Sequence, residues 1–356
     1  GHPLAALACV SSAKITNVTN KANITMECAG VIESPVVAGI VAFQKDSDFK
    51  NNTNEGKITL KHAGTANAEI SGFNRKPFSV IAGLAGVVVN ATAEGCVNKG
   101  DVKVSCTDVP KITARHYIGG VIGTPEGATI KSCTNNGAVT GDFTDATKNE
   151  AKQVWIGGVI GGRNGDVGNV DGALVEDCKN YGTCTLVAEN AVNNYLGGIG
   201  GQPTVEASTD FTVQKIVNSH NYGKLIKKGA GGCRLGGISG GAATLDNCSN
   251  EGEIVVEDIS SKGAVGGLVG YPTQSYHTIK NCKSLGNMTS KATTAFAMGG
   301  IGGQAGNANK QSWTGCTVNC TITGQAKNLV GMVLGTANTL AAKKVITFGT
   351  EAAPIK

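Results

Sequence analysis

The chain has 356 residues, 52 of them glycine and 8 proline, and only 4% are aromatic. Glycine near one residue in seven without a Gly-X-Y triplet excludes a collagen-like chain and calls for a search for internal repeats. The 31 Lys and Arg and 26 Asp and Glu are interspersed, leaving +5 with no Lys/Arg-rich run of five or more. That excludes the basic stripe of a nucleic-acid binder, and no apolar stretch approaches the ~18–20 residues of a membrane span.

In chain order, one short strand occurs ten times: LAALAC (4–9), VAGIVA (37–42), IAGLAG (81–86), IGGVIG (118–123), IGGVIG (156–161), LGGIGG (196–201), LGGISG (235–240), VGGLVG (265–270), MGGIGG (298–303) and LVGMVL (329–334). Measured at the second glycine or its substitute, the steps run from 30 to 44 residues, the last being 31. Each gap holds a second recurring segment, such as IKSCTNNGAV or LDNCSNEGEI, with four residues from the Cys position to the Gly position. Stacking the nine gaps gives a first column of Val18, Asn52, Cys96, Cys133, Cys178, Ser219, Cys248, Cys282 and Cys316. Two residues on comes a second column: Asn20, Asn54, Asn98, Asn135, Asn180, Asn221, Asn250, Ser284 and Val318. A turn glycine and an aliphatic residue follow, so each unit reads as a Gly-rich strand, an apolar-x-x-Cys strand, an Asn-x-Gly turn and a third strand.

Short strands repeated in register, none able to bury its apolar face alone, predict a right-handed parallel β-helix of about nine to ten rungs, on the order of 45 Å long. One domain is expected over 1–356, with 337–356 capping the open end and the connections at 60–80, 140–154 and 202–215 leaving as lateral excursions. The Asn column predicts amides bonded along the stack, on a residue that tolerates the left-handed backbone of a turn. The glycine pair predicts a tight bend where the backbones of neighbouring rungs approach closely.

The stretch VGGLVGYPTQSYHTIKNCKSLGNMTS (265–290) resembles the GLUG-motif repeats of bacterial secreted and surface proteins, and similar units cover nearly the whole chain. The resemblance implies an exported, adhesin-like solenoid, extracellular or on the cell surface, where a lipid anchor to the outer membrane could hold it. The motif is structural in that family, so the resemblance carries across no catalytic residue. The opening GHPLAALACVSS lacks a basic region before its apolar run and is not a signal peptide; an export signal is expected to have been removed, with Gly1 as an expression scar.

Most of the twelve cysteines are expected to be reduced, buried thiols acting as small hydrophobes, Cys9 and Cys184 included; Cys316 and Cys320, flanking one turn, are the pair to check for a bond. No metal or other cofactor is expected: there is no CxxC, the five histidines fall in different units, and Asp166, Asn169 and Asp171 read as a solvated loop. GISGG (237–241) and GIGGQA (300–305) are by-products of the repeat, outside the strand-to-helix context their mechanisms need.

Immediately before the glycine strands, Tyr117, Trp155, Tyr195 and Arg234 fall in four consecutive units, a ladder on which a glycan or a host surface protein could stack. Tyr181 and Tyr222 repeat within two NYG turns. The expected function is therefore non-enzymatic binding or adhesion by a monomer at the cell surface. A polysaccharide-degrading β-helix enzyme (lyase or hydrolase) and a passive stalk are the alternatives.

Overall fold

The computed structural model describes residues 3–29, 35–63, 78–106, 115–144, 153–162, 173–189, 194–202, 215–241, 243–271, 277–305, 311–324, 329–337 and 346–348. Among these there is no helix, and every strand pairing is parallel. The chain is a parallel β-solenoid.

A full rung contributes up to five short strands rather than the three expected. In the fourth rung these are Arg115–Gly119, Ile122–Glu126, Thr129–Lys131, Thr134–Asn135 and Val139–Phe143. Stacked over the rungs they make sheets one to five. Sheets one and three run through ten rungs and sheets four and five through nine. Sheet two is carried through its middle rungs by single bridges at Ser239 and Val269. The two extra strands arise at corners. The glycine pair divides the Gly-rich strand between sheets one and two, and a left-handed residue divides the Cys-Asn segment from sheet three.

That left-handed corner holds Asn17, Asn51, Gly95, Ser132, Asp177, Asn218, Asn247, Asn281 and Gly315, with φ between 49° and 63°. Short polar side chains and glycine tolerate this conformation best. It lies three residues before the ladder asparagines, which therefore do not supply the turn as expected. Their role is inside. Asn98, Asn135, Asn180 and Asn221 are fully buried. Each Nδ2 donates both to the Oδ1 of the next rung's asparagine, at 2.7–2.8 Å, and to the carbonyl two residues on, at 2.8–2.9 Å. The ladder starts at Asn20 and runs to Asn250, after which Ser284 and Val318 end it.

The glycine pair stands directly against this ladder. A Cβ at Gly120 would lie 2.0 Å from the Gly158 carbonyl oxygen and 2.5 Å from the Asn135 carboxamide; at Gly119 it would lie 1.8 Å from the Ile122 oxygen. No side chain fits either place. The contact makes a waist that divides the interior into two cores. One lies between sheets two and three, with Ile122, Ile130 and Cys133; the other lies between sheets one and five, with Ile118, Val139 and Phe143. The Asn–Gly spine between them is polar, yet from Asn20 to Asn221 both carboxamide hydrogens are bonded, so burying it carries little penalty.

The cysteine column lines the first core. All twelve cysteines are free, including Cys316 and Cys320, and those of the column are buried. They are more than small hydrophobes: the single Cys178 thiol proton has the carbonyls of Glu176 (3.3 Å) and Ile130 (3.5 Å) within reach as acceptors, and Cys133 and Cys248 have the equivalent pair. This explains why Ser219 can replace a cysteine, since its Oγ donates to Val217 O at 2.9 Å. Cys184 is buried in the second core as expected, but Cys9 is exposed, because it belongs to the first rung of the described residues and has no neighbour beneath it among them.

At the far end the last unit sits one residue out from its motif alignment. Val330, not Leu329, pairs with Met298, so Met332 takes the second-glycine position and Leu329 falls opposite Ala297. With no full rung above it among the described residues, that position no longer demands glycine, and Met332 is 61% exposed. Ile346–Phe348 pairs with Gln311–Trp313 and extends sheet three. The remainder of the expected cap, and most of the three lateral excursions, lie outside the described residues.

Candidate functional site

The residues proposed as a binding ladder do come together. Tyr117 pairs with Trp155, Trp155 with Tyr195 and Tyr195 with Arg234, one per rung along sheet one. The Tyr117 and Trp155 rings stack at 4.6 Å and 8°, and those of Trp155 and Tyr195 at 6.1 Å and 15°. The Arg234 guanidinium lies 5.2 Å from the Tyr195 ring and 4.0 Å from that of Tyr271, and it donates to the Tyr195 hydroxyl. Arg115 approaches the Trp155 ring at 5.6 Å.

The expected open face, however, is closed. Tyr117 and Tyr195 are wholly buried and Trp155 is 4% exposed. They form a third apolar cluster with Val36, Val80, Ala42, Phe43 and Val87, which combines the outer faces of sheets one and two. The cause lies in a further glycine column. A Cβ at Gly123 would meet the Val80 side chain at 2.2 Å, and one at Gly161 would meet the Ile118 nitrogen at 2.7 Å. At the glycine corner the two sheets fold back against each other, so the aromatic stripe becomes a seam. Gly86, Gly123, Gly161, Gly201, Gly240, Gly270 and Gly303 repeat in the sequence and signal this close approach.

The exposed aromatic surface lies elsewhere. Among the described residues, six large hydrophobics are exposed: Leu7 and Val10 at the first rung, Val330 and Met332 at the last, and Tyr181 and Tyr222 on the flank. The Tyr181 amide bonds Asn135 O and the Tyr222 amide bonds Asn180 O, both at 2.8 Å, which fixes the two residues one rung apart. Their rings stack at 4.8 Å and 9°, with Tyr181 49% and Tyr222 37% exposed. Beside them the His220 ring stands 6.3 Å from that of Tyr222, and its Nδ1 is 2.8 Å from Ser249 Oγ. Lys179, Glu251 and Lys283 are exposed around this patch. Burial, then Lys179, holds His220 below the usual histidine value, so at neutral pH it presents a neutral imidazole. Burial, then Glu251 and Tyr181, raises the Tyr222 phenol, which stays protonated.

Other chemistry-bearing groups are held inside. Ser239 is buried and donates to Gly241 O at 2.9 Å, as a corner residue would. The Lys227 ammonium is buried against the carbonyls of Ala188, Lys228 and Gly229, and burial lowers its pKa. Burial pushes the thiols of Cys184 and Cys233 up to about 12, well away from a reactive thiolate. Among the described residues no three His, Cys, Asp or Glu side chains converge on a metal position. The loop of Asp166, Asn169 and Asp171 lies outside those residues.

One comparison with known proteins identifies the rung. Residues 114–140 match the model of the GLUG motif. This stretch runs from sheet one to the start of sheet five in the fourth rung, so a GLUG motif is here one turn of solenoid without its return strand. The chain is thus a repeat solenoid that carries a GLUG motif in its fourth rung. The described residues of 265–290, the stretch on which the resemblance rests in sequence, take the equivalent positions four rungs on. No curated protein and no solved structure matches the chain. No helix among the described residues is long and apolar enough to cross a membrane.

Proposed function

We propose that the protein is a non-catalytic binding module of the bacterial cell surface, a rigid GLUG solenoid that presents Tyr181 and Tyr222 to a glycan. The observation that supports this is the stacked, exposed tyrosine pair, since the other large exposed apolar side chains of the described residues sit at the solenoid ends. An aromatic ring offers the apolar C–H face of a pyranose a flat partner, and phenol hydroxyls reach its polar rim. Lys179, Glu251 and the neutral His220 supply donors and acceptors within the same three rungs. The scaffold adds preorganisation, because rungs locked by backbone pairing and the Asn ladder lose little freedom when a ligand binds.

A glycan-array screen tests this. The protein is expected to bind a defined subset of glycans, and Tyr181→Ala/Tyr222→Ala is expected to weaken those signals at least tenfold. The double variant should retain its Tm within the small change typical of exposed positions, about ±0.5 kcal/mol per site. Silence of the native protein across the array would overturn the reading in favour of a passive spacer, and turnover of an arrayed polysaccharide would restore the enzyme.

A further inference from the structure

We propose that Tyr181 and Tyr222 are an oxidative cross-linking site, able to join the fifth and sixth rungs through a dityrosine bond. The inference is independent of any ligand. Three features of the pair carry it. First, both tyrosines face solvent, at 49% and 37% exposure. Second, their backbones are fixed one rung apart by the pairing Lys179↔His220 and Asn180↔Asn221, so the rings are held together without diffusion. Third, the rings face each other at 4.8 Å and 9°. Two phenoxyl radicals couple through the π lobes of their ortho carbons, which point perpendicular to the ring planes. A stacked pair therefore already aims those lobes at each other.

The chemistry balances with a peroxide as the named oxidant, activated by a haem peroxidase. Each phenol gives up one electron and one proton, leaving two phenoxyl radicals. The radicals form one carbon–carbon bond between ortho positions. The hydrogen on each of those carbons then moves to its ring oxygen, restoring both aromatic phenols. The product has lost two hydrogens, and the hydrogen peroxide has become two molecules of water. The new bond closes a loop from 181 to 222 across a segment that includes 203–214. It adds a covalent staple to a column whose rungs are otherwise held by hydrogen bonds and packing.

The molecule holds its own control. Tyr117 and Tyr195 are wholly buried and separated by the intervening Trp155 ring, so the same treatment should leave them unlinked. The experiment treats the folded protein, dilute enough to suppress contact between molecules, with horseradish peroxidase and hydrogen peroxide. Intact mass, dityrosine fluorescence and peptide mapping are then read. The expected result is a monomer lighter by two hydrogens, with the peptides of Tyr181 and Tyr222 joined and a raised Tm. Tyr222→Phe should abolish the intramolecular link without disturbing the fold. Absence of dityrosine in the native protein, cross-linking only between molecules, or an unchanged yield in Tyr222→Phe would each overturn the proposal.

Discussion

Asn135→Leu is expected to destabilise the solenoid by on the order of 4 kcal/mol, enough to unfold rungs four and five in a domain of ordinary stability. The side chain keeps its size, so the loss is one of hydrogen bonds. In the native protein Asn135 Oδ1 accepts from Asn98, and its Nδ2 donates to Asn180 Oδ1 and Gly137 O, each at 2.8 Å. Leucine would leave those three partners short of a bond in a fully buried site, each costing roughly 1–3 kcal/mol. Urea denaturation of the variant checks this. A change below about 1 kcal/mol would mean that the ladder is replaceable by packing.

Trp155→Ala should lower stability by about 3–5 kcal/mol, the range for emptying a large aromatic site. Trp155 is 4% exposed and stacks on Tyr117 and Tyr195 from the rungs on either side. The seam lies between two sheets whose glycine backbones approach closely, so it cannot collapse around the void. Thermal unfolding gives the size of the loss. If the variant instead kept native stability and lost glycan binding, the seam would be an open binding face after all.

Much of the fold was legible in the sequence because a solenoid writes its geometry as columns. The Asn column gave the ladder and the Cys column one inner face. Two features were read only in part. The split of the Gly-rich strand into two sheets turns on where a Cβ would collide with the neighbouring rung, and the sequence shows glycine without showing the collision. The same limitation hid the seam: the Tyr117–Trp155–Tyr195–Arg234 register was correct, yet whether an outward side chain meets solvent depends on how sheets one and two fold at their corner. The left-handed corner was misplaced by three residues, since asparagine serves two distinct purposes in one short segment. Asn17 and Asn51 turn the chain, whereas Asn20 and Asn54 bond along the stack. Tyr181 and Tyr222 were visible as a repeat, but their exposure was not.

The central claim is that a buried, fully bonded asparagine spine holds the rungs in register, and side-chain hydrogen exchange tests it most directly. Exposed carboxamide protons exchange rapidly with solvent. Those of Asn54, Asn98, Asn135, Asn180 and Asn221 are buried, with one proton given to the next rung and the other to a backbone carbonyl. After transfer of the ¹⁵N-labelled protein into D₂O, these five carboxamides should persist in the spectrum as long as the backbone amides of the central rungs. Loss of all side-chain amide signals at the rate of exposed asparagines, while the backbone amides remain protected, would contradict the spine.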